Sequence, residues 1–356
     1  MENPTQLRLG KVFHESGHHV TSIDFDPTGE LCLVGCPEDE SIILYHALDG
    51  LHRKTVYSKK YGVGPVRFTH RANNVIYASG KGDDDALRYL SLHDNAYLRY
   101  FRGHQGKVCA LEMSPQQDTF VSGAVDDTIR FWDLRSPNCQ GILAITGKPL
   151  VAFDPQGLVL VVALESRFIR LYDMKAYERG PFAAFEIVAD NGSRGVWNHV
   201  TFSPDGKEIM ISTLNGTIFL IDGFDGFVKQ ALNATQNSSS LDLRPAYSTS
   251  SHHVFCGDQS GKISIWEREG GRLIGQLEGH TSYPQVIKCN PKFEMMASAC
   301  TNLVRRLLND GYLTFRHFGS LSPLLGPSRS EQCCIKRFLS NRNHNVGNQL
   351  CVHSKD

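Results

Sequence analysis

The sequence predicts an all-β protein that repeats one four-stranded sheet around a ring. Two sequence anchors recur with the same period, and short apolar runs alternate with turn residues between them. The 356 residues are 41% hydrophobic and include 32 glycines. This composition is typical of a soluble chain with many tight turns and favours sheets over helical bundles.

The first anchor is an apolar strand that ends in proline. It recurs at Pro27, Pro115, Pro155, Pro204, Pro245 and Pro291, with spacings of 88, 40, 49, 41 and 46 residues. The first gap spans two periods. The missing unit lies at PVRFTHRANN, where Thr69 and His70 replace the usual Ser-Pro.

The second anchor is a closing strand with a large apolar residue near its end. That residue is Tyr45, Leu90, Trp132, Tyr172, Ile221 and Trp266 in turn, with spacings of 45, 42, 40, 49 and 45 residues. Four short strands in each period of about 40 residues are typical of a propeller blade. We therefore predict a WD40 β-propeller of seven blades.

The two ends of the chain decide how the ring closes. The lone alternating segment 7–13 is expected to supply the outer strand of the last blade, because an open ring leaves exposed sheet edges. The last blade opens with Gly279 and His280, but Arg305 and Arg306 stand where its aromatic third strand is expected. We predict a propeller over 7–304, whose last blade is incomplete, and a divergent, disordered tail over 305–356.

Charge is unevenly divided between these two parts. The tail carries eight Lys or Arg residues and three acids, a net charge of +5, so the rest of a chain with net charge +0 carries −5. A negatively charged body disfavours sequence-independent DNA binding, which needs a broad positive field. No direct, sequence-specific contact with nucleic acid is expected either.

One blade carries a polar motif. His104, Ser122, Asp126 and Trp132 have the spacing of a buried hydrogen-bond network, in which Asp126 accepts from His104, and both His104 and Ser122 are expected to bond to the indole N–H of Trp132. The same arrangement recurs wherever a blade must be fixed, so we interpret it as structural rather than catalytic.

No catalytic or metal-binding motif accompanies it. The cysteines are scattered and lack paired zinc spacing, and Cys333 and Cys334 have no histidine at ligand distance. GxSxG, HExxH, P-loop and Rossmann patterns are missing, so no enzyme activity and no cofactor are predicted. No run reaches the ~20 apolar residues of a membrane span, and Met1–Gly10 has no apolar signal core, so neither membrane insertion nor secretion is expected.

Basic residues collect in loops that share one face of a propeller. The candidate partner-binding rim consists of Lys59, Lys60, Tyr61, Arg102, Lys107, Lys148 and Arg194. Lys and Arg donate charge-assisted hydrogen bonds to phosphate, and Tyr61 can stack on a peptide ring. The rim therefore suits a phosphorylated acidic peptide; the alternative is that these are ordinary solvated loop charges.

Specific strings go beyond the generic repeat. Residues 10–304 resemble the WD repeat-containing protein 82 family through YSKKYGV (57–63), RYLSLHDNAYLRYF (88–101), DTIRFWDLRSPNCQG (127–141) and NPKFEMMASAC (290–300). The resemblance implies a non-catalytic nuclear subunit of SET-domain histone H3 lysine-4 methyltransferase (COMPASS) complexes on chromatin. It also implies a link to phosphorylated C-terminal repeats of RNA polymerase II, and association with a type-1 phosphatase complex and termination factors.

This chain departs from that family after Val304, because family members end soon after a final aromatic strand. A second function also stays open. Trp132, Asp133 and Arg135 resemble the WDxR box of substrate receptors of cullin–RING ubiquitin ligases. An ordinary third strand supplies most of that box, so the motif is weak evidence.

Overall fold

The computed structural model describes residues 4–7, 9–13, 20–82, 84–187, 195–234, 241–300, 304–307 and 334–337. Strands dominate these residues, and the helices among them are two short 3-10 turns, Pro4–Gln6 and Tyr177–Arg179. No helix in this part of the chain is long and apolar enough to cross a membrane.

The strands follow one another in groups of four. The chain begins with β1 (Leu9–Phe13) and continues into blade 1, which consists of β2 (Ser22–Phe25), β3 (Leu31–Cys36), β4 (Ser41–His46) and β5 (Leu51–Tyr57). Blade 2 consists of β6 (Val66–Phe68), β7 (Asn74–Ala78), β8 (Leu87–Ser91) and β9 (Ala96–Phe101). Blade 3 consists of β10 (Val108–Met113), β11 (Thr119–Ala124), β12 (Thr128–Asp133) and β13 (Cys139–Ala144).

Three further blades repeat this order. Blade 4 consists of β14 (Leu150–Phe153), β15 (Val159–Leu164), β16 (Phe168–Asp173) and β17 (Ala183–Glu186). Blade 5 consists of β18 (Trp197–Phe202), β19 (Glu208–Thr213), β20 (Thr217–Asp222) and β21 (Val228–Asn233). Blade 6 consists of β22 (Ala246–Tyr247), β23 (His253–Gly257), β24 (Ile263–Glu267) and β25 (Leu273–Leu277). The last sheet, called the closing sheet below, combines β26 (Pro284–Cys289), β27 (Met295–Cys300), β28 (Val304–Leu307) and β29 (Cys334–Arg337) with β1.

Each blade is an antiparallel sheet of consecutive strands, and burial falls from its middle strands to its outer strand. In blade 3, five of the six residues of β11 are buried, whereas the residues of β13 alternate between half-buried and exposed. A strand covered on both faces is apolar throughout, and one with a solvent-facing side alternates. The burial pattern therefore identifies β13 as the outermost strand.

The hydrophobic core is divided into clusters, each lying between neighbouring sheets. Val56 of blade 1 packs with Val75 of blade 2, and Phe101 of blade 2 packs with Trp132 of blade 3. The same arrangement continues around the ring, and the closing sheet packs on blade 6 and on blade 1. Because each sheet is buried only by its neighbours, the fold needs a closed ring.

The closing sheet departs from the regular blades. Its order is β26-β27-β28-β1-β29, and both β28 and β29 pair with β27. β1 pairs antiparallel with β28, from Leu9 opposite Leu307 to Phe13 opposite Val304. The N-terminal strand therefore lies in the last sheet, as the alternating segment 7–13 predicted.

The prediction of a seven-blade propeller is wrong in the number of blades. Six four-stranded blades are regular among the described residues, and in the closing sheet two short segments share the place of one third strand. The physical reason is the one noted in the sequence: no continuous apolar third strand follows β27. The domain boundary at 304 stays a prediction, because residues 304–307 and 334–337 pair in this sheet and the rest of the tail lies outside the described residues.

Candidate functional site

The structure divides the predicted basic rim into two groups. Lys59, Lys60 and Tyr61 lie between β5 and β6, and Arg102 lies at the end of β9. A second group, Lys107 and Lys148, lies at the mouth of the central channel. Arg194 lies outside the described residues.

The first group joins three further tyrosines in a surface that we call the aromatic–basic surface. Its members are Tyr57, Lys59, Lys60, Tyr61, Tyr97, Tyr100 and Arg102. The Tyr61 and Tyr97 ring centroids are 6.1 Å apart, and those of Tyr97 and Tyr100 are 5.3 Å apart. The tyrosines are open to solvent: Tyr57 is 60% exposed, Tyr97 38% and Tyr100 36%.

Cations lie against these rings. The Lys59 ammonium is 5.9 Å from the Tyr57 ring centre, and the Lys60 ammonium is 5.0 Å from that of Tyr61. The Arg102 guanidinium is 5.7 Å from the Tyr100 ring. Cation–π contacts of this kind hold long side chains near a ring while the charge stays accessible. Lys60 is also the main reason why the pKa of Tyr61 lies below its ordinary value.

Arg88 supports this surface from below. It is 1% exposed, and its guanidinium lies 3.5 Å from the Tyr61 ring centre. Asp84 and Ser79 accept its hydrogen bonds, so its charge is paired inside the blade. Arg88, Tyr97 and Tyr100 were missed from sequence, although the string RYLSLHDNAYLRYF contained the signal: aromatic residues on an outer strand, where solvent is expected.

Lys107 and Lys148 open onto a cavity of about 640 Å³ in the centre of the ring. It is lined by inner strands of several blades, and below the mouth it contains Arg67 and Glu112. Their side chains form a bidentate ion pair, with Arg67 Nη2 2.6 Å and Arg67 Nε 3.2 Å from the two carboxylate oxygens. Burial raises the pKa of Glu112, but Arg67 outweighs it and the net pKa lies below the ordinary range.

A second charged pair lies nearby in the same cavity. Asp242 accepts hydrogen bonds from Arg244 at 3.1 Å, Asn198 at 2.9 Å and Gln285 at 3.0 Å. Burial opposes ionisation of Asp242, yet Arg244 and these donors lower its pKa below the usual value. Sequence reasoning missed these channel charges; the signal was a polar residue on an inner strand of otherwise apolar character, as in VRF and VCALEM.

The structure brings the four residues of the predicted polar network together. Trp132 Nε1 donates to Ser122 Oγ at 2.8 Å, and Ser122 Oγ lies 2.7 Å from His104 Nε2. His104 Nδ1 lies 2.9 Å from Asp126 Oδ2. A carboxylate only accepts, so Nδ1 carries the proton and the Ser122 hydroxyl donates to Nε2. The indole meets Ser122 rather than His104.

Burial fixes the charge state of this network. It lowers the pKa of His104 below the ordinary value, which keeps the ring neutral. Burial acts against ionisation of Asp126, but hydrogen bonds from Thr128, Gln105 and His104 lower its pKa to about 2. The neutral imidazole lies between a carboxylate and a serine that is itself bonded to tryptophan. Every donor in this series of hydrogen bonds has an acceptor, so the network holds the strands of blade 3 in place.

The predicted ligase-adaptor box has an ordinary local geometry. Trp132 is 1% exposed, and Arg135 pairs with Asp133 at 2.7 Å while remaining 78% exposed in its side chain. Any third strand that ends in Trp-Asp-x-Arg can form this pair. Function as a substrate receptor of a cullin–RING ubiquitin ligase therefore stays a prediction. In the described part of the chain, no three His, Cys, Asp or Glu residues converge to hold a metal ion.

Comparison with known proteins finds the same repeat in this chain. The family model described as WD domain, G-beta repeat, matches residues 9–46 and 95–133. The first match runs from β1 to β4 and the second from just before β9 to β12, so β1 takes the place of an outer strand. WD repeat-containing protein 82 of Drosophila melanogaster is 42% identical over 298 residues, which cover 83% of this chain and 93% of that protein.

The chain belongs to the WD repeat-containing protein 82 family. The names of two fungal relatives describe each of them as a component of a protein complex. "COMPASS component SWD2" of Saccharomyces cerevisiae is 33% identical over 79% of this chain and 88% of its own length. "Set1 complex component swd2" of Schizosaccharomyces pombe is 41% identical over 58% of this chain and 57% of its own length. The aromatic–basic surface and the channel charges described above are therefore features of a WD repeat-containing protein 82 family member.

Proposed function

We propose that this chain is a non-catalytic WD-repeat subunit of a nuclear histone H3 lysine-4 methyltransferase complex. The observation that carries the proposal is the match along 93% of WD repeat-containing protein 82, together with relatives named as Set1 and COMPASS components. A propeller with exposed faces and a buried, fully bonded polar network acts as a scaffold that presents surfaces to partners.

The direct test is affinity purification of the tagged full-length chain from nuclei, followed by mass spectrometry. The proposal expects a SET-domain methyltransferase and its associated subunits as the main stoichiometric partners. A cullin adaptor as the main partner, lost when Arg135 is changed to alanine, would instead support the ubiquitin-ligase function. Recovery of neither would contradict the proposal.

The second part of the proposal concerns the partner that the scaffold connects. The aromatic–basic surface binds the phosphorylated C-terminal repeats of RNA polymerase II. Three exposed cations, on Lys59, Lys60 and Arg102, lie beside exposed tyrosine rings. Phosphate accepts charge-assisted hydrogen bonds from such cations, and a tyrosine or proline of the peptide can pack on the rings. Association with a type-1 phosphatase complex belongs to the same proposal.

Fluorescence anisotropy with a labelled phosphorylated heptad-repeat peptide tests this surface. Reversing Lys59, Lys60 and Arg102 to glutamate should raise the Kd at least about tenfold, since each lost charge-assisted bond contributes about 1–2 kcal/mol. The unphosphorylated peptide should bind weakly to both proteins. Raising the salt concentration should weaken binding to the unmodified protein more than to the variant.

A matched control has the same change of charge on the opposite face. Lys175, Arg179 and Lys207 are exposed in turns on that face, and their reversal to glutamate should leave the Kd unchanged. Both triple variants should melt at the temperature of the unmodified protein, because the six side chains are exposed. Equal losses in the two variants would show a non-specific effect of net charge, and an unchanged Kd in the first variant would remove the assignment.

A further inference from the structure

Tyr97 is in contact with two other rings of the aromatic–basic surface, and an irregularity of β9 places it there. Residues three apart on a regular strand face opposite sides of a sheet, but the Tyr97 and Tyr100 ring centroids are only 5.3 Å apart. The pairing of β8 with β9 shifts register between Tyr89 and Leu90, which leaves Leu98 as a bulge without an opposite residue. This bulge brings the two rings to the same side of the strand.

A series of three hydroxyl groups holds the Tyr97 ring from inside the protein. The Tyr97 hydroxyl lies 3.1 Å from the hydroxyl of Tyr77 on β7, and the Tyr77 hydroxyl lies 3.0 Å from that of Ser58. Tyr77 is 0% exposed, whereas Tyr97 is 38% exposed. Each hydroxyl donates one hydrogen bond and can accept another, so both bonds of Tyr77 can form at once. Burial raises the pKa of Tyr77, so this hydroxyl keeps its proton.

Ser58 connects this series to the basic part of the surface. It begins the turn 58–62, which carries the two lysines and Tyr61 of the aromatic–basic surface. Tyr61 N and Gly62 N donate to the Ser58 carbonyl oxygen at 3.2 and 2.7 Å. The carbonyl of Ser58 therefore holds the turn, while its hydroxyl bonds to Tyr77. Tyr77 is thus bonded at one end to the basic turn and at the other end to the strand that carries the exposed tyrosines.

A fixed separation between these two parts favours a peptide that contacts both of them. The peptide proposed above places phosphate on the lysines of the turn and packs a ring or a proline on the tyrosines. Ordering a mobile side chain during binding lowers affinity by a factor of about 2 to 10. A surface whose parts are already held together in the free protein avoids this loss.

We infer that Tyr77 is a positioning residue of the peptide-binding surface, acting through its hydrogen bonds to Ser58 and Tyr97. These bonds hold the basic turn and the exposed rings at the separation that the phosphorylated peptide needs. Tyr77 itself is buried and does not touch the peptide. The inference rests on the proposed function of the aromatic–basic surface, and it adds the residue that keeps the two parts of this surface in register.

Tyr77→Phe tests this role, because it removes one oxygen and keeps the ring. Tyr89→Phe is the matched control: Tyr89 lies on the neighbouring strand, is 8% exposed and accepts from Asn74 Nδ2 at 3.0 Å. Tyr77 packs towards blade 1 and Tyr89 towards blade 3. Each variant loses one buried, hydrogen-bonded hydroxyl, so the melting temperatures should fall by similar amounts. Only Tyr77→Phe should raise the Kd of the phosphorylated heptad-repeat peptide, by about fivefold.

A second readout needs no peptide. The full-length protein is prepared with carbon-13 in its tyrosine rings, and the Tyr97 signal is identified by its loss in Tyr97→Phe. This signal should shift and narrow in Tyr77→Phe, because the ring becomes mobile. It should stay unchanged in Tyr89→Phe, so a general loss of stability does not produce the same result.

Ser58→Ala removes the bond at the other end of Tyr77. It should also raise the Kd of the phosphorylated peptide. Added to Tyr77→Phe, it should have no further effect, because the bond between the two hydroxyls is already absent. Two residues that acted independently would instead multiply their effects.

The possible failures can be told apart. If the unmodified protein does not bind the phosphorylated peptide, the proposed function is wrong, and the positioning role is wrong with it. If Tyr77→Phe binds as tightly as the unmodified protein, only the positioning role is wrong. An unchanged Tyr97 signal in Tyr77→Phe, or equal losses of affinity in Tyr77→Phe and Tyr89→Phe, would also overturn the inference.

Discussion

Replacing Ser122 with alanine is the sharpest test of the polar network in blade 3. The Ser122 hydroxyl accepts from the Trp132 indole at 2.8 Å and donates to His104 Nε2 over 2.7 Å. Alanine leaves a buried N–H donor and a buried nitrogen acceptor without partners. Each unsatisfied group costs about 1–3 kcal/mol, so the free energy of unfolding should fall by about 2–6 kcal/mol.

The closing sheet supplies a matched control. Ser298 is 0% exposed, like Ser122, and its hydroxyl lies 2.8 Å from His280 Nε2, but no tryptophan bonds to it. Ser298→Ala leaves one such group and should therefore cost about 1–3 kcal/mol, roughly half the effect of Ser122→Ala. Urea unfolding followed by tryptophan fluorescence and circular dichroism measures both values, provided that the slopes stay equal. Equal losses in the two variants, or a loss below about 0.5 kcal/mol for Ser122→Ala, would refute the assignment of the indole bond.

Three further predictions concern acid stability, packing and closure of the ring. The folded-state pKa of Asp126 is about 2 against an ordinary 3.8, which corresponds to a contribution of about 2 kcal/mol to stability. This contribution is complete above pH 3.8 and disappears as the pH falls towards 2. Asp126→Asn should therefore melt earlier than the unmodified protein at about pH 7, and the two melting temperatures should converge near pH 2. Gly257→Ala places a Cβ 2.0 Å from the Pro284 carbonyl oxygen and should cost about 1–3 kcal/mol in urea unfolding. Removing the residues before position 14 deletes β1 and exposes the edge of β28. The melting temperature should therefore fall, and sedimentation should show concentration-dependent self-association. A monomer with an unchanged melting temperature would contradict the role of β1 in closing the ring.

The closing-strand anchor could be predicted from sequence, because the packing that requires it is repeated at the same position of each blade. Tyr45, Leu90, Trp132, Tyr172, Ile221 and Trp266 all lie on the third strands of blades 1 to 6, and all are buried. That position faces the neighbouring sheet in every blade, so a large apolar residue recurs there with the period of the repeat. The β1 strand was readable for the same reason, since its alternation needs one covered face.

The proline anchor was wrong in blade 6. Pro245 precedes β22 instead of ending an inner strand. The equivalent of Ser203 in blade 5 is Ser248: Ser203 N donates to the Glu208 carbonyl at 2.8 Å, and Ser248 N donates to the His253 carbonyl at 2.8 Å. The true turn therefore begins at Ser248, where serine is followed by threonine rather than proline. The pattern of residues favoured Pro245 because proline is the stronger sequence signal.

The basic rim could be predicted from sequence only in part. Lys59, Lys60, Tyr61 and Arg102 were identified as loop residues, and the structure joins them through rings on β9. Lys107 and Lys148 were placed with them but lie at the channel mouth. The two groups differ in distance from the channel, because Lys59, Lys60 and Arg102 follow outer strands, whereas Lys107 and Lys148 directly precede the inner strands β10 and β14.

The charged residues of the channel could not be predicted from sequence, because their ion-pair partners meet only when the ring closes. Arg67 and Glu112 are 45 positions apart and lie on blades 2 and 3. Arg244 reaches Thr21 from 223 positions away, across the junction of the two ends of the chain. A charge on an inner strand looks like a defect in an apolar pattern until the opposite charge is placed beside it.

This junction explains why the segment before β22 is irregular. Arg244 N donates to the Gln285 carbonyl at 2.7 Å, and Arg244 pairs in parallel with Val286 of β26, so blade 6 is bonded to the closing sheet along the channel. On the other side of the closing sheet, the Asn290 side chain donates to the Gly29 carbonyl of blade 1 at 2.7 Å. Neighbouring regular blades are hydrogen-bonded as well, for example through Phe68 N to Asp24 between blades 1 and 2. The closing sheet keeps backbone and side-chain hydrogen bonds to both of its neighbours despite its divided third strand. The Arg244 bonds lie beside the inner strand β26, and the Asn290 bond joins the turns that follow the inner strands β26 and β2, so none of these bonds involves the divided third strand.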